Sequence, residues 1–293
     1  MDSAQFADFR RRQIDLPGQN GAVSAIEMGP AEQPLDIIFS HANGFNARTY
    51  RTILGPLART HRLMIVDQRG HGLCTLPADP ATQRDSWRDV ADDLTSILDA
   101  IDARNVVLAG HSMGGAISLL AAAARPSRVR ALGLFDPVVI FGALATEAGP
   151  DSRTESPLIQ GALRRRSVFA NKAAVMEAYR GRGAFRTWSE PMLADYVADG
   201  FVKTSDGQVT LACQPAWEAS NFMAHANDLW PAFATVKAPI AILRAEVGST
   251  CRIEDRQTEL NVSGTVRIET IPGTSHFLPM ERPDLVVETL GSL

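Results

Sequence analysis

Short, continuous apolar runs alternate with amphipathic stretches along most of this chain. Because a run of about four to eight apolar residues bounded by turn residues is typical of a buried strand, these runs predict strands. They cover residues 35–40, 63–66, 105–110, 129–135, 240–243 and 265–271, and a hairpin over 8–29 precedes them. Trp87, Val90, Leu94, Ile97 and Ile101 recur at helical spacing, which predicts an amphipathic helix. A further helix is predicted over residues 47–60. The alternation predicts an α/β fold with a mostly parallel central sheet flanked by helices.

The alternation stops between residues 138 and 233. Helical patches over 158–168, 173–179 and 191–199 lie there between loops that contain proline, glycine and tryptophan. The pattern predicts one core formed by residues 1–137 and 234–293, interrupted by a helical cap insertion over 138–233. Since ligands bind beyond the carboxyl ends of the strands in such sheets, we expect the cap above that edge. Irregular surface decoration is the alternative interpretation of the insertion.

Composition and charge exclude several classes of function. The 293-residue chain is 45% apolar with a net charge of −4, which is typical of a globular domain and provides no basic surface for nucleic acid. It has no apolar run of the roughly 18 residues that a membrane span needs, and no signal-peptide pattern at its start. Cys74, Cys213 and Cys251 are widely spaced and form no metal-binding pattern. We expect a cytoplasmic protein with reduced thiols, no metal or cofactor, and no nucleic-acid or membrane partner, while the oligomeric state stays open.

One turn between a predicted strand and an apolar helix carries a serine flanked by glycines. Gly110, Ser112 and Gly114 match G-x-S-x-G, the turn that lifts a nucleophilic serine above an α/β sheet. Side chains two positions before and after the serine would collide with the strand or the helix, and glycine removes that collision. The hydroxyl then lies near a helix N-terminus, which favours developing negative charge. We predict that Ser112 is a nucleophile.

A serine hydroxyl needs a base within hydrogen-bonding reach to act as a nucleophile at neutral pH. His276 is the best candidate, because it follows the last predicted strand at the same edge of the sheet as Ser112. Other histidines are predicted to have structural roles. His111 is adjacent to the serine, but its side chain should point away and pack, while His41 and His71 are expected to fix turns.

Four segments carry a resemblance to a known family, and they come in that family's order along the chain. They are 41–44, 67–72 (D-x-R-G-H-G), 110–115 and 273–277. With them the chain resembles the α/β-hydrolase fold superfamily, in its capped serine hydrolase and esterase branch. The resemblance implies the α/β-hydrolase fold with an inserted helical cap. It also implies an oxyanion hole formed by the backbone N–H groups of Met113 and Asn43, with Ala42 as the alternative to Asn43.

The acid of the catalytic triad is the open point of this resemblance. Members of the superfamily usually carry an aspartate in the loop after the penultimate core strand, where this chain has Gly248. Two other carboxylates are candidates: Asp136 ends the strand after the serine helix, and Glu246 ends the next core strand. Both fit the chain order serine, acid, histidine. We favour Asp136 and keep Glu246 as the alternative, ahead of Glu254 and Asp255.

Aromatic residues of the cap and the core predict an apolar substrate pocket. The predicted substrate-binding residues are Phe45, Phe141, Trp188, Trp217 and Phe277. The arginine run 164–166 is interpreted as a solvated helix face.

Together these features predict a serine hydrolase that cleaves a small or medium carboxylic ester through an acyl-enzyme. An enol-lactone, or a C–C bond flanked by carbonyl groups, is an alternative substrate for the same residues. A cofactor-free oxygenase, from a different class of enzyme, would use the pair of His276 and the acid. A non-catalytic binding module would have no need of either Ser112 or His276.

Overall fold

An eight-stranded, mostly parallel sheet forms the centre of the fold. The computed structural model describes residues 8–139, 156–224, 227–253, 260 and 265–293. The strands are β1 (Phe9–Asp15), β2 (Ala22–Met28), β3 (Ile37–Ser40), β4 (Leu63–Val66), β5 (Val106–His111), β6 (Val129–Phe135), β7 (Val168–Phe169), β8 (Phe201–Lys203), β9 (Val209–Leu211), β10 (Ile240–Val247) and β11 (Val266–Ser275). The central sheet has the order β1-β2-β4-β3-β5-β6-β10-β11. β2 is antiparallel to both of its neighbours, and the other neighbouring pairs are parallel, which confirms the predicted sheet.

Helices cover the sheet and form much of the segment between β6 and β10, which is the predicted insertion. They are α1 (Arg51–Leu54), α2 (Arg88–Ala100), α3 (Met113–Ala124), α4 (Pro157–Leu163), α5 (Lys172–Tyr179), α6 (Glu190–Gly200), α7 (Pro215–Met223), α8 (Trp230–Thr235), α9 (Leu278–Glu281) and α10 (Pro283–Gly291). The predicted amphipathic helix is α2, which buries Val90, Leu94 and Ile97. In the described part of the chain, no helix is long and apolar enough to cross a membrane.

The apolar runs form strands whose side chains alternate between two buried faces. Ile38 and Leu108 belong to the apolar cluster that includes α2 and α3, whereas Phe39 and Ala109 belong to the cluster on the other face. This arrangement explains why the runs are apolar without a break, since both faces of a parallel sheet are covered.

One helix predicted over residues 47–60 is divided into three short turns. The 3₁₀ turns Ala47–Tyr50 and Gly55–Arg59 lie on either side of α1. Pro56 lacks a backbone N–H, so it cannot continue the hydrogen-bond ladder of an α-helix that begins upstream. The prediction of a continuous helix here is wrong.

The register of the parallel strands brings their carboxyl ends to one edge of the sheet. The aligned pairs are Ser40 with Gly110, His111 with Phe135, Phe135 with Leu243, and Val247 with Ser275. The residues that follow these strands, among them Ser112, Asp136 and His276, therefore emerge side by side.

The inserted region contains a small sheet in addition to its helices. Strands β7, β9 and β8 form an antiparallel sheet in that order. The predicted helix over 158–168 ends at Leu163 and gives way to β7, whose two residues are too few to show strand alternation. At the other end, α8 packs on α3 through Ala232 and Phe233, so the predicted boundary at 233/234 lies inside a helix that contacts the core. Residues 140–155 of the predicted insertion lie outside the described residues.

The helix α6 of the insertion is bonded to the core beside β3. The Asp195 carboxylate, which is buried, accepts hydrogen bonds from the side chains of Arg48, Arg51 and Thr52. Removing one partner of a buried ion pair is strongly destabilising, so these contacts hold α6 in one position on the core.

Candidate active site

Ser112 lies in the tight turn between β5 and α3, in a backbone conformation that ordinary residues rarely adopt. Its φ and ψ are 57° and −122°. A Cβ at Gly110 would lie 2.3 Å from the Gly114 carbonyl oxygen, and a Cβ at Gly114 would lie 2.1 Å from that of Ser40. The steric reason for the glycines is therefore confirmed. The backbone N–H of Met113 is the first of α3, and the first N–H groups of a helix have no acceptor within it.

The structure brings Ser112, His276 and Asp136 into one hydrogen-bonded line. The Nε2 atom of His276 lies 2.9 Å from Ser112 Oγ, and its Nδ1 atom lies 2.6 Å from Asp136 Oδ2. An ionised carboxylate can only accept hydrogen bonds, so Nδ1 carries the proton and Nε2 is left to accept from the serine hydroxyl. This is the geometry required of a nucleophile, its base and the group that orients the base.

The Asp136 carboxylate is fully buried and surrounded by donors from the end of β10 and the loop that follows. Its Oδ1 atom accepts from the Ala245 N–H at 2.8 Å and the Ser249 hydroxyl at 2.5 Å, and its Oδ2 atom accepts from the Thr250 N–H at 3.1 Å. The Asp136 backbone has a φ of 40°, which is a strained value. The hydrogen bond from the Asp136 N–H to the Leu243 carbonyl, at 2.7 Å, stabilises this conformation. These contacts fix the carboxylate in one orientation.

The surroundings of Asp136 also determine its charge. Burial alone would raise the pKa of this carboxyl, but hydrogen bonds from His276, Ser249 and the Ala245 N–H outweigh burial and lower the pKa to about 2. The group is therefore ionised throughout the physiological pH range and able to stabilise a positive charge on His276.

Glu246, the alternative acid, is the penultimate residue of β10. It is exposed, and its Oε2 atom accepts a hydrogen bond from the Gly273 N–H at 2.8 Å. At the position where the family usually has its acid, Gly248 adopts a φ of 64° and leads into Ser249, a donor to Asp136. The loop thus supplies donors to the acid instead of the acid itself. The weaker candidates 254 and 255 lie outside the described residues.

In the loop after β3, one backbone N–H group donates to no described residue, and the N–H groups of the residues on either side of it are hydrogen-bonded. The Ala42 N–H donates to the Tyr50 hydroxyl at 3.1 Å, and the Gly44 N–H donates to His71 Nε2 at 3.0 Å. The Asn43 N–H forms no hydrogen bond with any described residue. Of the two loop residues considered as oxyanion donors, Asn43 is therefore favoured over Ala42.

The side chain of Asn43 binds the insertion, a role that its position in the motif does not reveal. Its Nδ2 atom donates to the Glu218 carbonyl at 2.9 Å, and its Oδ1 atom accepts from Asn221 Nδ2 at 3.0 Å. Both partners belong to α7. A Cβ at Gly44 would lie 2.6 Å from Glu218 Oε1, so glycine permits this close approach. The loop carrying the candidate oxyanion donor is held by the insertion.

Two buried histidines fix this loop, as the sequence predicts. His41 donates from Nδ1 to the Ala42 carbonyl at 2.7 Å and accepts from the Gln68 N–H at 3.0 Å. Burial lowers the pKa of His41 well below its usual value and that of His71 to about 4. Both rings are therefore neutral at physiological pH and accept hydrogen bonds from backbone N–H groups.

His111 does more than the packing predicted for it. Its ring is fully buried and hydrogen-bonded at both nitrogens, to the Tyr50 hydroxyl and to the His276 carbonyl oxygen. Tyr50 lies in a 3₁₀ turn 61 residues upstream, and no sequence motif signals this contact.

Three of the predicted pocket residues form one aromatic cluster, which contacts the rings of His111 and His276. The Phe45 ring centroid lies 5.2 Å from that of Trp188 and 6.3 Å from that of Phe277. Tyr196 of α6, which the sequence does not single out, joins them at 5.9 Å from Phe45. Residue 141 lies outside the described residues.

Trp217 contacts a different part of the core. Its indole Nε1 donates to the Arg69 carbonyl at 2.9 Å, and the Arg84 guanidinium lies 4.0 Å from its ring centroid. A Cβ at Gly70 would lie 2.3 Å from the indole nitrogen. The structure thus places Trp217 as an attachment of α7 to the turn after β4, apart from the aromatic cluster around Phe45.

The arginine run after α4 is not uniformly solvated. Arg164 and Arg166 are exposed, but the Arg165 side chain is only 18% exposed and pairs with Glu218 Oε2 at 2.8 Å. Its guanidinium also donates to the Tyr196 hydroxyl. The prediction of a solvated face is wrong for Arg165, because α4 ends at Leu163 and no longer sets the direction of this side chain.

Metal-binding groups do not gather anywhere in the described part of the chain. Within residues 8–139, 156–224, 227–253, 260 and 265–293, no three His, Cys, Asp or Glu side chains are arranged to hold a metal ion.

Comparison with known proteins identifies the family. Residues 37–289 match the alpha/beta hydrolase family, and the chain belongs to it. The chain is 24% identical over 285 residues to 2-(acetamidomethylene)succinate hydrolase of Mesorhizobium japonicum, across 96% of this chain and 94% of that protein. A 2-hydroxymuconate semialdehyde hydrolase of a Pseudomonas species is 36% identical over 102 residues, which are 34% of this chain and 35% of that one.

The fold agrees with this family. A crystal structure of E-2-(acetamidomethylene)succinate hydrolase superposes with a TM-score of 0.79 and 22% identity, covering 97% of this chain and 98% of that one. The predicted α/β-hydrolase fold is confirmed, and so is the prediction of an enzyme of the alpha/beta hydrolase family.

Proposed function

We propose that this protein is a serine hydrolase that cleaves a small or medium carboxylic ester through an acyl-enzyme. The observation that carries the proposal is the line from Ser112 Oγ through His276, at 2.9 Å, to Asp136, at 2.6 Å. Such a line raises the nucleophilicity of a serine, which is otherwise a weak nucleophile at neutral pH.

The reaction proceeds in two halves. Ser112 Oγ attacks the ester carbonyl while its proton moves to His276 Nε2, and the resulting imidazolium then gives that proton to the departing alkoxide, which leaves as the alcohol. Water next attacks the acyl-enzyme with His276 as its base, which releases the carboxylic acid and restores Ser112. The ionised Asp136 stabilises the imidazolium in both halves.

Backbone donors stabilise the negative charge that develops on the carbonyl oxygen. The N–H groups of Met113 and Asn43 serve as these donors, and each such donor contributes roughly 3–4 kcal/mol in comparable acyl-transfer sites. Because the Asn43 side chain is bound to α7, the position of its N–H depends on the insertion as well as on the core.

The aromatic cluster suits an uncharged acyl or alkyl group. The Phe277 ring lies 5.9 Å from that of His276, and the rings of Phe45 and Trp188 extend the cluster from Phe277. Pockets lined by aromatic side chains favour apolar substituents. The buried guanidinium of Arg165 is paired with Glu218 and so adds no net positive charge to this region.

Hydrolysis of a C–C bond flanked by carbonyl groups is the second candidate. It is supported by the similarity to 2-hydroxymuconate semialdehyde hydrolase and to 2-hydroxy-6-oxo-2,4-heptadienoate hydrolase of Pseudomonas putida, which is 36% identical over 109 residues. The same base and donors would act on a ketone carbonyl with a carbon leaving group.

Turnover of matched substrates tests the proposal. We expect the wild-type protein to hydrolyse p-nitrophenyl esters of short and medium acids, and Ser112→Ala to abolish this turnover with an unchanged melting temperature. Cleavage of a vinylogous 1,5-diketone without ester turnover would favour the second candidate. Oxygen consumption with a heteroaromatic substrate that survives Ser112→Ala would instead identify a cofactor-free oxygenase.

We also propose a cytoplasmic location. It is supported by the odd number and wide spacing of Cys74, Cys213 and Cys251 in the sequence, a pattern typical of reduced thiols.

A further inference from the structure

A buried chain of hydrogen bonds joins the oxyanion loop to the loop of the candidate catalytic histidine. The Ala42 N–H donates to the Tyr50 hydroxyl at 3.1 Å, this hydroxyl lies 2.7 Å from His111 Nδ1, and His111 Nε2 lies 2.7 Å from the His276 carbonyl oxygen. Tyr50 and His111 are both fully buried. The chain therefore links two loops that are 234 positions apart in the sequence by way of the residue that precedes Ser112.

The two ends of this chain determine the direction of every bond in it. The His276 carbonyl can only accept, so His111 carries its proton on Nε2 and its Nδ1 must accept from the Tyr50 hydroxyl. The Tyr50 oxygen in turn accepts from the Ala42 N–H, which can only donate. Every group is satisfied in this one arrangement, and reversing any bond would leave a buried polar group unpaired.

The arrangement also keeps His111 neutral beside the base. The His111 and His276 ring centroids are 5.0 Å apart. Burial and the neighbouring His276 lower the pKa of His111 to about 3. A second positive charge at this distance would oppose proton transfer to His276, and the neutral ring avoids that cost.

We propose that His111 and Tyr50 are positioning residues, which hold the backbone of the histidine loop and the backbone of the oxyanion loop in a fixed relation. The inference rests on the proposed function of Ser112, His276 and the Asn43 N–H. It extends that function to residues that do not contact the reacting atoms. The imidazole of His276 and the donor at Asn43 must both be correctly placed around one carbonyl carbon, and a displacement of about 1 Å costs on the order of 100-fold in rate.

Variants that break the chain at two points test this role. Tyr50→Phe removes one hydroxyl and keeps the ring, His111→Leu removes both ring nitrogens, and His111→Gln keeps a donor near the position of Nε2. We expect Tyr50→Phe to lower kcat for ester hydrolysis about 10-fold and His111→Leu about 100-fold, with KM changed less than about twofold. His111→Gln should fall between the wild type and His111→Leu.

The double variant and a matched control separate positioning from loss of stability. Because Tyr50 and His111 act through one chain, the double variant Tyr50→Phe/His111→Leu should be no slower than His111→Leu alone. Ser118→Ala removes another fully buried hydroxyl, which donates to the Gly114 carbonyl at 2.7 Å in α3. It should lower the melting temperature as Tyr50→Phe does and leave kcat unchanged.

A readout independent of substrate distinguishes failure of this inference from failure of the proposed function. The proton between His276 Nδ1 and Asp136 gives a downfield ¹H NMR signal. We expect this signal in the wild type and in Ser118→Ala, and we expect it to be weakened or shifted in His111→Leu. Any one of three results would overturn the inference. They are an unchanged signal in His111→Leu, a kcat of Tyr50→Phe within twofold of the wild type, and losses in kcat that multiply in the double variant. Absence of ester turnover in a wild type that keeps the signal would overturn the proposed function instead.

Discussion

Replacing Asp136 by asparagine changes the charge of the acid with almost no change in its shape. The amide cannot accept from His276 Nδ1–H and from all of the donors at Ala245, Ser249 and Thr250 at once. If its NH₂ group faces His276, the imidazole must carry its proton on Nε2 instead of Nδ1. The protonated Nε2 atom can no longer accept the proton of Ser112. If the NH₂ group faces the donors instead, they are left unsatisfied in a buried site.

The magnitude of the effect follows from the distance between the two groups. Coulomb's law with an effective dielectric constant of about 20 gives about 6 kcal/mol for an imidazolium and a carboxylate whose nitrogen and oxygen are 2.6 Å apart. Since each 1.4 kcal/mol or so corresponds to a factor of ten in rate, losing most of this attraction in the transition state lowers kcat about 10⁴-fold.

The assay compares kcat for a p-nitrophenyl ester in Asp136→Asn and in the matched control Glu246→Gln. Both variants convert a carboxylate to an amide, but Glu246 is exposed and bonded to the Gly273 N–H, so its replacement should change kcat less than about twofold. Melting temperatures establish that both variants are folded. A kcat of Asp136→Asn within tenfold of the wild type, or a larger loss in Glu246→Gln, would refute the assignment of the acid.

Three further predictions concern stability, the oxyanion loop and the pocket. Because the pKa of Asp136 is lowered to about 2, its ionised form adds about 2 kcal/mol to the free energy of unfolding. This contribution is fully present above about pH 4 and is lost as the pH falls through 2. Denaturant unfolding between pH 2 and 5 should show this slope in the wild type and a flatter one in Asp136→Asn. Asn43→Ala keeps the backbone donor but loses both bonds to α7, so kcat should fall about tenfold; an unchanged kcat would contradict the role given to α7. Trp188→Ala should raise KM most for esters with the longer acyl chains. Trp217→Ala should lower the free energy of unfolding by about 3 kcal/mol or more without changing the chain-length preference. The reverse pattern would contradict the assignment of Trp188, and not Trp217, to the substrate pocket.

The residues that depend on local chain geometry are those that could be predicted from the sequence. The turn at Ser112 needs glycine on both sides because its neighbours are backbone atoms only a few positions away or in the adjacent strand β3. The apolar runs predict the sheet, and the sheet brings His276 to the same edge as Ser112. These parts follow from the periods and steric limits of strands and tight turns.

The choice between Asp136 and Glu246 depends on loop geometry that no local pattern encodes. Both residues end core strands, but the loop after β10 turns at Gly248 and directs the Ser249 hydroxyl and the Thr250 N–H at Asp136. A pair of hydroxyl residues after a glycine is a common loop sequence, so its significance appears only once the buried carboxylate is placed among them.

Contacts between the insertion and the core likewise cannot be predicted from a single sequence. Asn43 of the core and Asn221 of α7 form such a contact although they are 178 positions apart in the sequence. Such pairs are selected by the packing of α7 on the core, which the helical pattern of the insertion does not specify.

Covalent labelling of the serine tests the central claim most directly. We predict that a fluorophosphonate probe forms one adduct with the native protein, mapped by peptide mass spectrometry to Ser112. The adduct should be absent in Ser112→Ala and form far more slowly in Asp136→Asn. An unlabelled Ser112 in protein that turns over esters, or an adduct on a different residue, would contradict a nucleophilic Ser112.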